Sequence, residues 1–441
     1  MRRRKHALSL DRRIDNGMRV LLEESHALPL VDVELTLRTG SVHDPRGREG
    51  LTRLAWRMVR MGTRGQRSHE LEEAIARLGA RLVVETSTSY VRLHGSVIRR
   101  NLTPFVELLS RLVLSPAFRV ADLAQVKRET IADLVSRRDN DRALAARAYR
   151  TLLFGDHPYS RSVVGTAQSI RRIRREHVAA HHRRHLVGSN VVLGFAGAVG
   201  VDEALALVDR TFSRLPRGRA PKEQTITPRA RRGRHVLVVD KPERTQTQIY
   251  VGTLGVRIRD PLFYPLAVAN TAFGGTFTAP LMQEIREKRG WSYGAYSRLG
   301  SDRQRDSWSM WTFPAAKDAA ECIHLELELL DRFVEEGVRA RAHAFARKYL
   351  VNSHCFDVDT AAKRLEPWID ADVFGLPDDF YGDYERHVRG VTLEASNSAI
   401  RKRISRRDVS IALVATASDV VPALEALPGV RSVEVIAYDR L

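Results

Sequence analysis

The chain has 441 residues, of which 43% are apolar, 28% charged and 7% aromatic, a composition that is typical of a globular protein and excludes collagen-like, coiled-coil or largely disordered structure. The formal net charge of +19 reflects 72 basic against 53 acidic residues, and because the basic residues are 63 arginines and 9 lysines spread along the whole chain, we interpret the excess as compositional bias. Two cysteines, Cys322 and Cys355, are too few for a disulfide framework or a cysteine-only zinc site, which favours a reducing compartment.

The start of the chain carries a basic stretch but no apolar run of the length that a secretory signal needs before Asp11. The longest strongly apolar stretch, residues 191–201, is about half of what a bilayer crossing needs. We therefore predict a cytoplasmic protein with no membrane-spanning segment and no membrane partner.

Matched segments in the two halves of the chain predict an internal duplication. The matched segments are strands that begin at Arg19 and His235, and strand–helix pairs within 190–215 and 409–427. The predicted domains are an N-terminal α/β half at 1–216, a basic linker at 217–234 and a C-terminal α/β half at 235–441. The linker prediction follows from the crowding of Pro, Gly and like charges, for which a nucleic-acid-binding arm is the less favoured interpretation.

Apolar periodicity within each half predicts long helices that alternate with strands. In the first half the predicted helices cover residues 50–63, 103–113, 122–136 and 141–153. In the second half they cover residues 261–273, 280–289, 318–336 and 340–351, and a hairpin has strands at 291–299 and 307–313. The economical fold class is α+β, in which each half is an open mixed β-sheet with helices packed on it.

The first predicted helix places Arg53 and Arg57 four residues apart on one face, with Trp56 beside them. In a later helix, Asp133 follows the apolar Val126 by seven residues, so we expect the Asp133 side chain near the inward face of that helix. An inward carboxylate is costly unless a cation or hydrogen-bond donors meet it.

Short segments along nearly the whole chain resemble the motif frame of a known family. In the first half these segments are Asn16-Gly-Met-Arg-Val-Leu21, Leu28-Pro-Leu-Val31, Thr39-Gly-Ser41, Gly50-Leu51, Met58, Gly62-Thr63, Phe154-Gly-Asp-His-Pro-Tyr159 and Val164-Gly-Thr166. In the second half they are Leu281-Met-Gln-Glu-Ile-Arg-Glu-Lys-Arg-Gly-Trp-Ser-Tyr-Gly-Ala-Tyr296 and Gly375-Leu-Pro-Asp-Asp379. Together they are similar to the insulinase/pitrilysin-type peptidases, the inverted zincins, and this resemblance implies that the two halves form a clamshell.

In that family a helix carries H-x-x-E-H, and an acidic residue on a later helix is the third zinc ligand. The positions that match the two histidines are Arg53 and Arg57, Trp56 stands at the general-base glutamate, and only Asp133 keeps an acid. A guanidinium has no lone pair for a metal, and an indole cannot accept a proton from water. We therefore predict that this chain holds no zinc and is not a peptidase by itself, and that Arg57 or Arg53 forms an ion pair with Asp133.

A second metal candidate is the ligand-like spacing of His177, His181 and His185, with His182 adjacent. Arginines lie among these histidines, and only Glu176 offers a carboxylate at matching spacing. We favour the docking of a helix end over a metal site.

In two-subunit members of the family, the chain without the zinc motif supplies an arginine and a tyrosine that hydrogen-bond the peptide beside the partner's metal. The residues of this chain that match them are Arg286 and Tyr293. The local sequence is compatible with this role, since Pro280 suits a helix start and Gly290 a left-handed cap before a strand that begins at Trp291. The alternative is that Tyr293 packs in the sheet and Arg286 is a solvated helix residue.

The resemblance implies a non-catalytic subunit of a heterodimeric zinc metallopeptidase, similar to the arginine/tyrosine-bearing partner of bacterial heterodimeric peptidases and to the α subunit of mitochondrial processing peptidase. Its zinc would lie in a homologous partner subunit, and its substrates would be peptides or unfolded proteins, bound in part by strand addition to a sheet edge. The alternative is a non-enzymatic scaffold subunit like the core proteins of respiratory complexes, and a homodimer also stays open. Nucleic-acid binding is the least favoured function.

Overall fold

The computed structural model describes residues 8–222, 226–377 and 379–441. The first seven residues of the predicted N-terminal half, residues 223–225 of the predicted linker and Asp378 of the Gly375–Asp379 motif lie outside the described residues. The described residues form two compact units, each assembled from three stretches of the chain. The first unit comprises the described residues of Met1–Leu134, Ser162–Gln224 and Cys355–Tyr384, and the second those of Val135–Arg161, Thr225–His354 and Glu385–Leu441.

Strands and helices account for most of the described residues. The strands are β1 (Leu10–Arg13), β2 (Arg19–Glu24), β3 (Leu30–Leu37), β4 (Gly62–Thr63), β5 (Gln66–Arg67), β6 (Arg81–Thr86), β7 (Val91–Ile98), β8 (Val191–Gly197), β9 (Arg234–Asp240), β10 (Gln248–Leu254), β11 (Ala295–Leu299), β12 (Ser307–Thr312), β13 (Val409–Ala415) and β14 (Val430–Ala437). The α-helices are α1 (Leu51–Val59), α2 (Ser68–Arg77), α3 (Leu102–Leu114), α4 (Val120–Ser136), α5 (Asp141–Phe154), α6 (Ala167–Arg172), α7 (Arg175–His185), α8 (Val201–Phe212), α9 (Phe263–Gly274), α10 (Pro280–Met282), α11 (Ala319–Glu335), α12 (Ala340–Ser353), α13 (Ala361–Phe374), α14 (Asp379–Gly382), α15 (Tyr384–Arg389), α16 (Leu393–Arg403) and α17 (Ala417–Glu425). A π-helical stretch, Gln283–Glu287, directly follows α10, and short 3-10 turns lie at Ser41–His43, Arg99–Asn101, Arg137–Asp139, Pro158–Ser160, Gly188–Asn190, Ala316–Asp318 and His354–Asp357.

The first unit contains a six-stranded sheet in the order β1-β2-β8-β3-β7-β6. Strands β2 and β8 are parallel, and the other neighbours are antiparallel. Alternation along β2 separates two apolar cores, because successive side chains of a strand point to opposite faces. Val20 and Leu22 join the large core of the unit, whereas Leu21 packs with Ile369 and Val373 of α13.

The second unit repeats this plan with a six-stranded sheet in the order β11-β12-β10-β13-β9-β14. Strands β9 and β13 are parallel neighbours, like β2 and β8 in the first sheet. Helix α5 packs on β13, β10 and β9. Its Tyr149 is fully buried, and the hydroxyl donates a hydrogen bond to the carbonyl oxygen of Trp308 at 3.0 Å.

Each sheet therefore carries one helix that the sequence would assign to the other half of the chain. Helix α13 comes from the C-terminal half and packs on the first sheet, and α5 comes from the N-terminal half and packs on the second. An apolar stripe shows that a helix is buried on one face but does not identify the sheet that covers it.

The predicted α+β fold with two sheet-and-helix halves is confirmed, and most predicted helices agree with the structure within a few residues. The helix predicted at 50–63 ends earlier, at Val59, because Gly62 adopts a positive φ of 102° and enters the short hairpin of β4 and β5. Residues 291–294 were predicted as strand, but β11 begins at Ala295. Among the described residues, no helix is both long and apolar enough to cross a bilayer.

Candidate functional site

Helix α1 begins at a position that only glycine occupies without strain. Gly50 has a positive φ of 89°, and a Cβ atom there would lie 2.5 Å from the carbonyl oxygen of Val164. Gly165 is confined in the same way, since its Cβ atom would lie 2.2 Å from the carbonyl oxygen of Glu49. The glycines of two separate sequence motifs therefore pack against each other and fix the start of α1.

The buried carboxylate of Asp44 caps the first turn of α1. It accepts hydrogen bonds from the backbone N–H groups of Gly50 and Thr52, both at 2.8 Å, and from the Thr52 hydroxyl at 2.6 Å. Burial raises the pKa of Asp44 to about 7, although these hydrogen bonds favour the charged form. Asp44 was not predicted from the sequence, because a carboxylate that precedes a helix by several residues is not an ordinary N-cap signal.

Trp56, which the resemblance matches to the general-base position, points into the core. Trp56 is fully buried, and its ring centroid lies 5.4 Å from that of His182. The indole Nε1 has no hydrogen-bond partner among the described residues. Trp56 therefore contributes packing to the first unit and has no proton-accepting group to offer to a water molecule.

The two arginines of α1 face α4. Arg57 donates a hydrogen bond to Glu129 at 2.9 Å and another to the Thr130 hydroxyl at 2.8 Å. Arg53 Nη2 lies 3.9 Å from Asp133 Oδ2, which is within ion-pair range but longer than a hydrogen bond. Two arginines four residues apart thus face two acids that are also four residues apart.

The ion pair predicted for Asp133 is therefore present only in a loose form, with Arg53, and the tight partner of Arg57 is Glu129. The expectation that Asp133 faces inward is wrong, since half of its side-chain surface is exposed. Burial falls along α4 after Thr130, so its last turn lies at the surface. Glu129 was not predicted, because one turn of helix decides which acid an arginine reaches, and spacing alone cannot fix that.

The described residues include no group of three or more His, Cys, Asp or Glu side chains that could hold a metal ion. At the positions matched to the zinc ligands, the structure brings together two guanidinium groups and the acids of α4. Both arginines are permanently protonated and repel a dication. This arrangement can form ion pairs but cannot bind zinc or activate water.

The histidines of α7 pack against α1 and its surroundings. The side chains of His181, His182 and His185 are buried. Their hydrogen-bond contacts are Thr52 Oγ1 for His181 at 3.1 Å, the Val113 carbonyl for His182 at 2.9 Å and Thr39 Oγ1 for His185 at 2.9 Å. Burial is the main cause that lowers their pKa values, to about 3, 4 and 2 respectively. These contacts hold α7 against its neighbours, in agreement with the predicted docking of a helix end.

His182→Gln should make the stability of the protein less sensitive to acid. The pKa of His182 is lowered to about 4, so between pH 6.5 and 4 the unfolded chain binds a proton that the folded chain refuses. The wild type therefore loses about 1.4 kcal/mol per pH unit through this ring as the pH falls. Urea unfolding of both proteins from pH 7 to pH 4.5 measures the difference.

Other titrating groups, such as Asp44, are the same in both proteins and cancel in this comparison. The matched control is His69→Gln, which removes an exposed histidine of α2 and should leave the pH profile unchanged. Parallel profiles for the wild type and His182→Gln would contradict a neutral, buried His182.

The segment that follows α10 holds the second pair of predicted site residues. The helix predicted at 280–289 starts at Pro280 as expected but continues as the π-helical stretch that contains Arg286. Gly290 has a φ of 65°, which confirms the predicted left-handed cap, and its N–H donates to the carbonyl oxygen of Arg286 at 2.9 Å. The Ser292 hydroxyl donates a hydrogen bond to the carbonyl oxygen of Gly294 at 2.8 Å and accepts one from the N–H of Phe313 at 3.2 Å. The backbone bends at Trp291 and Tyr293, where the sequence predicted a strand.

Arg286 and Tyr293 both reach the surface from this segment. Tyr293 is 81% exposed, so the alternative in which it packs in the sheet is wrong. The Arg286 guanidinium lies 4.4 Å from the ring centroid of Phe277, itself half exposed, and its Nε lies 3.6 Å from Glu287. Both residues are thus available to a ligand.

Two family models match this chain. The model described as insulinase, peptidase family M16, matches residues 19–167, and the model described as the peptidase M16 inactive domain matches residues 172–350. The chain belongs to the M16 peptidase family. The resemblance seen in the short motifs is thereby confirmed.

The similar proteins include some that are named as zinc proteases and one that is named as a non-peptidase homolog. An uncharacterized zinc protease of Mycobacterium tuberculosis is 26% identical over 408 residues, which cover 89% of this M16 chain and 90% of the relative. The non-peptidase homolog YmxG of Helicobacter pylori is 23% identical over 398 residues, which cover 90% of this chain and 91% of the relative.

Solved structures share the fold of this M16 chain. A peptidase M16 inactive domain from Pseudomonas fluorescens has a TM-score of 0.86 at 23% identity and covers 92% of this chain and 97% of its own. A chain of complex III2 from Candida albicans has a TM-score of 0.78 at 14% identity, and the match covers 95% of this chain and 99% of the Candida chain. At these identities the likeness shows the fold alone.

Proposed function

We propose that this M16 chain is the non-catalytic subunit of a heterodimeric zinc peptidase and lends substrate-binding groups to a zinc-bearing homologous partner. The chemistry of α1 supports the proposal, since Arg53, Trp56 and Arg57 can neither ligate zinc nor accept a proton from water. Hydrolysis by the mechanism of the family then needs a second polypeptide. The substrates would be peptides or unfolded proteins.

The exposure of Tyr293 carries this proposal. At 81% exposed, this aromatic side chain contributes little to the core, although Ser292 and Gly294 on either side of it are buried. Tyrosine is enriched at binding surfaces because it combines an apolar ring with a polar hydroxyl. A tyrosine held outward by ordered backbone is suited to contact a ligand.

Arg286 adds a second donor on the same segment. Its backbone lies in a π-helical stretch, a feature that frequently occurs at functional sites, and its guanidinium is only partly engaged by Phe277 and Glu287. A phenol hydroxyl and a guanidinium can both donate hydrogen bonds to a peptide carbonyl and to the oxyanion that develops there. Such donors act most strongly in the transition state and therefore raise kcat.

Strand addition offers a way to hold the peptide backbone. Strand β6 ends the first sheet, so one side of its backbone has no neighbouring strand in that sheet. Its Val83 is 37% exposed. Backbone pairing at such an edge tolerates many sequences, which suits a peptidase of broad specificity.

Arg286→Ala and Tyr293→Phe should each lower kcat for peptide hydrolysis by about 10- to 100-fold in the complex with a zinc-bearing M16 homologue encoded by the same genome. The physical reason is the loss of one donor to the developing oxyanion. The measurement is steady-state cleavage of a fluorogenic peptide without basic residues, which separates kcat from KM.

Tyr296→Phe is the matched control, because Tyr296 is 41% exposed on the adjoining strand but does not match the substrate-binding tyrosine of the family. It should keep full activity. If the Arg286 and Tyr293 variants form the complex and also keep full activity, the proposal fails. The proposal would also be contradicted if the isolated chain bound zinc stoichiometrically and cleaved peptides by itself.

A scaffold subunit is the second candidate. It is supported by the likeness to a chain of complex III2 at a TM-score of 0.78 and by the relative named as a non-peptidase homolog. A scaffold would bind partner chains through surfaces that do not depend on Arg286 or Tyr293. Unchanged activity of both variants in an intact complex would favour this candidate.

A further inference from the structure

A surface groove of about 410 Å³ lies within the second unit, beside the C-terminal end of α5. One wall comes from the end of α5, and the other comes from a short segment of the predicted linker. Leu237 of β9 and its cross-strand neighbour Glu434 of β14, at the edge of the second sheet, complete the lining. The lining residues are Thr151, Leu152, Leu153, Gly155, Arg229, Ala230, Arg231, Leu237 and Glu434. The volume is within the range of about 300–1,000 Å³ that is typical of small-molecule sites.

The linker segment of this groove is held against the rest of the second unit. The carbonyl oxygen of Ile226 lies 2.9 Å from Nε2 of His157, and Pro228 is buried. Arg231 Nη1 donates a hydrogen bond to Glu434 Oε1 at 2.7 Å. These contacts tie the segment to the turn that follows α5 and to β14, so this part of the predicted linker forms a defined wall.

The groove combines apolar surface with one unbalanced positive charge. Its apolar lining consists of Leu152, Leu153, Ala230 and Leu237. Of its charged residues, Arg231 and Glu434 form an ion pair and balance each other. Arg229 is exposed and forms no hydrogen bond or ion pair with any residue that the structure describes. A free guanidinium therefore borders the apolar surface.

We propose that this groove binds a hydrocarbon chain that ends in a carboxylate, as in a medium-chain fatty acid. The hydrocarbon chain packs on the leucines, and the removal of this apolar surface from water provides most of the affinity. The carboxylate accepts hydrogen bonds from the free guanidinium of Arg229 and competes with Glu434 for Arg231. A cationic head group is repelled by Arg229, and a neutral one gains only the apolar contacts. The groove does not include Arg286 or Tyr293, so this proposal is independent of the proposed function.

The test measures the binding of three ten-carbon compounds to the full-length chain by isothermal titration calorimetry at pH 7.5. Decanoate has the proposed carboxylate, decanol has a neutral head group, and decylamine is a cation. Decanoate should bind at least fivefold more tightly than decanol, and decylamine should bind most weakly. The preference for decanoate should fall as salt is raised, because its ion pair lies at the surface.

Two charge variants should shift this preference in opposite directions. Arg229→Gln removes the free guanidinium, so the preference for decanoate over decanol should fall below twofold. Glu434→Gln releases Arg231 from its ion pair, so decanoate should bind at least twofold more tightly than it binds to the wild type. Neither change should alter the affinity for decanol by more than about twofold, because the apolar lining is unchanged.

Arg232→Gln is the matched control, since this exposed arginine of the same segment lies outside the groove lining and should leave the preference intact. Urea unfolding checks that all three variants fold like the wild type. The proposal is overturned if decanoate does not bind, or if decanoate and decanol bind equally well. It is also overturned if Arg229→Gln and Arg232→Gln have the same effect, or if Glu434→Gln does not strengthen the binding of decanoate.

Discussion

Glu326→Gln should stabilise the protein by about 4 kcal/mol at pH 9 and leave its stability near pH 4.5 almost unchanged. Glu326 lies in the middle of α11 with no exposed surface. Neither carboxyl oxygen has a hydrogen bond of standard geometry within the described part of the chain, although Thr312 is close enough to favour the charged form slightly. Burial nevertheless raises the pKa of Glu326 to about 8.

The sign of the effect follows from the raised pKa. Between pH 4.5 and 8 the folded chain keeps a proton on Glu326 that the unfolded chain releases. The stability of the wild type is therefore highest, for this group, below pH 4.5 and is lost as the pH rises through 8. Glutamine resembles the protonated acid in shape and does not titrate, so the variant avoids this loss.

The measurement is urea unfolding of the wild type and Glu326→Gln at several pH values from 4.5 to 9. Glu321→Gln, an exposed position on the same helix, should change stability by less than about 0.5 kcal/mol at every pH. The nearby Cys322 does not interfere, because burial raises the pKa of its thiol well above the ordinary value. A constant difference between wild type and Glu326→Gln across this range would show that Glu326 is not a neutral buried acid.

Asp372→Ala should destabilise the first unit by about 3–5 kcal/mol. The Asp372 side chain is almost completely buried on α13. It accepts hydrogen bonds from Arg19 at 3.0 Å, from Arg38 Nε at 2.7 Å and from the exposed Arg13 at 3.3 Å. Without this carboxylate, Arg38 loses its ion pair with α13, while Arg19 keeps its pair with Asp11 at 2.6 Å.

Chemical unfolding followed by circular dichroism measures the loss. Asp372→Asn keeps the size and some hydrogen bonds, so it should cost less than Asp372→Ala. The matched control is Asp359→Ala, since the exposed pair of Asp359 with Lys363 should contribute less than about 1 kcal/mol. A loss below 1 kcal/mol for Asp372→Ala would mean that the attachment of α13 depends on its apolar contacts alone.

These contacts matter because α13 reaches the first sheet from the other half of the sequence. Apolar contacts with Leu21 and Val192 bury its inner face, while Asp372 and the pair formed by Arg92 and Asp370 at 2.8 Å fix its orientation. Burial raises the pKa of Asp370 to about 6 although Arg92 favours the charged form. The ion pairs therefore add specificity at a desolvation cost, while the apolar contacts supply the main stabilisation.

Much of the chemistry of the candidate site could be predicted from the sequence. The identity of the side chains at Arg53, Trp56 and Arg57 excludes zinc ligation, whatever the fold, because lone pairs and proton affinity belong to the side chain itself. Gly290 could be predicted as a left-handed cap for a similar reason, since only glycine adopts that conformation without strain. Local chemistry of this kind does not depend on distant residues.

The exposure of individual side chains and the identity of their hydrogen-bond partners could not be predicted from local sequence. Tyr293 is exposed in a bent segment that replaces the expected strand. Glu129 accepts the hydrogen bond from Arg57 because α1 and α4 meet at one particular register. A helical or strand period describes which face of an element is buried. It does not describe the relative position of two elements that are far apart in sequence.

The sequence by itself determined the family and the α+β class, and the side chains of Arg53, Trp56 and Arg57 exclude zinc ligation at those positions. The tertiary structure decided which sheet each helix covers, as α5 and α13 show, and which charged groups lie in the core. It also formed the surface groove lined by the end of α5, by the predicted linker and by β9 and β14, which come from separate segments. The physical reason is that burial and long-range ion pairing depend on the sum of many weak contacts, which no short stretch of sequence contains.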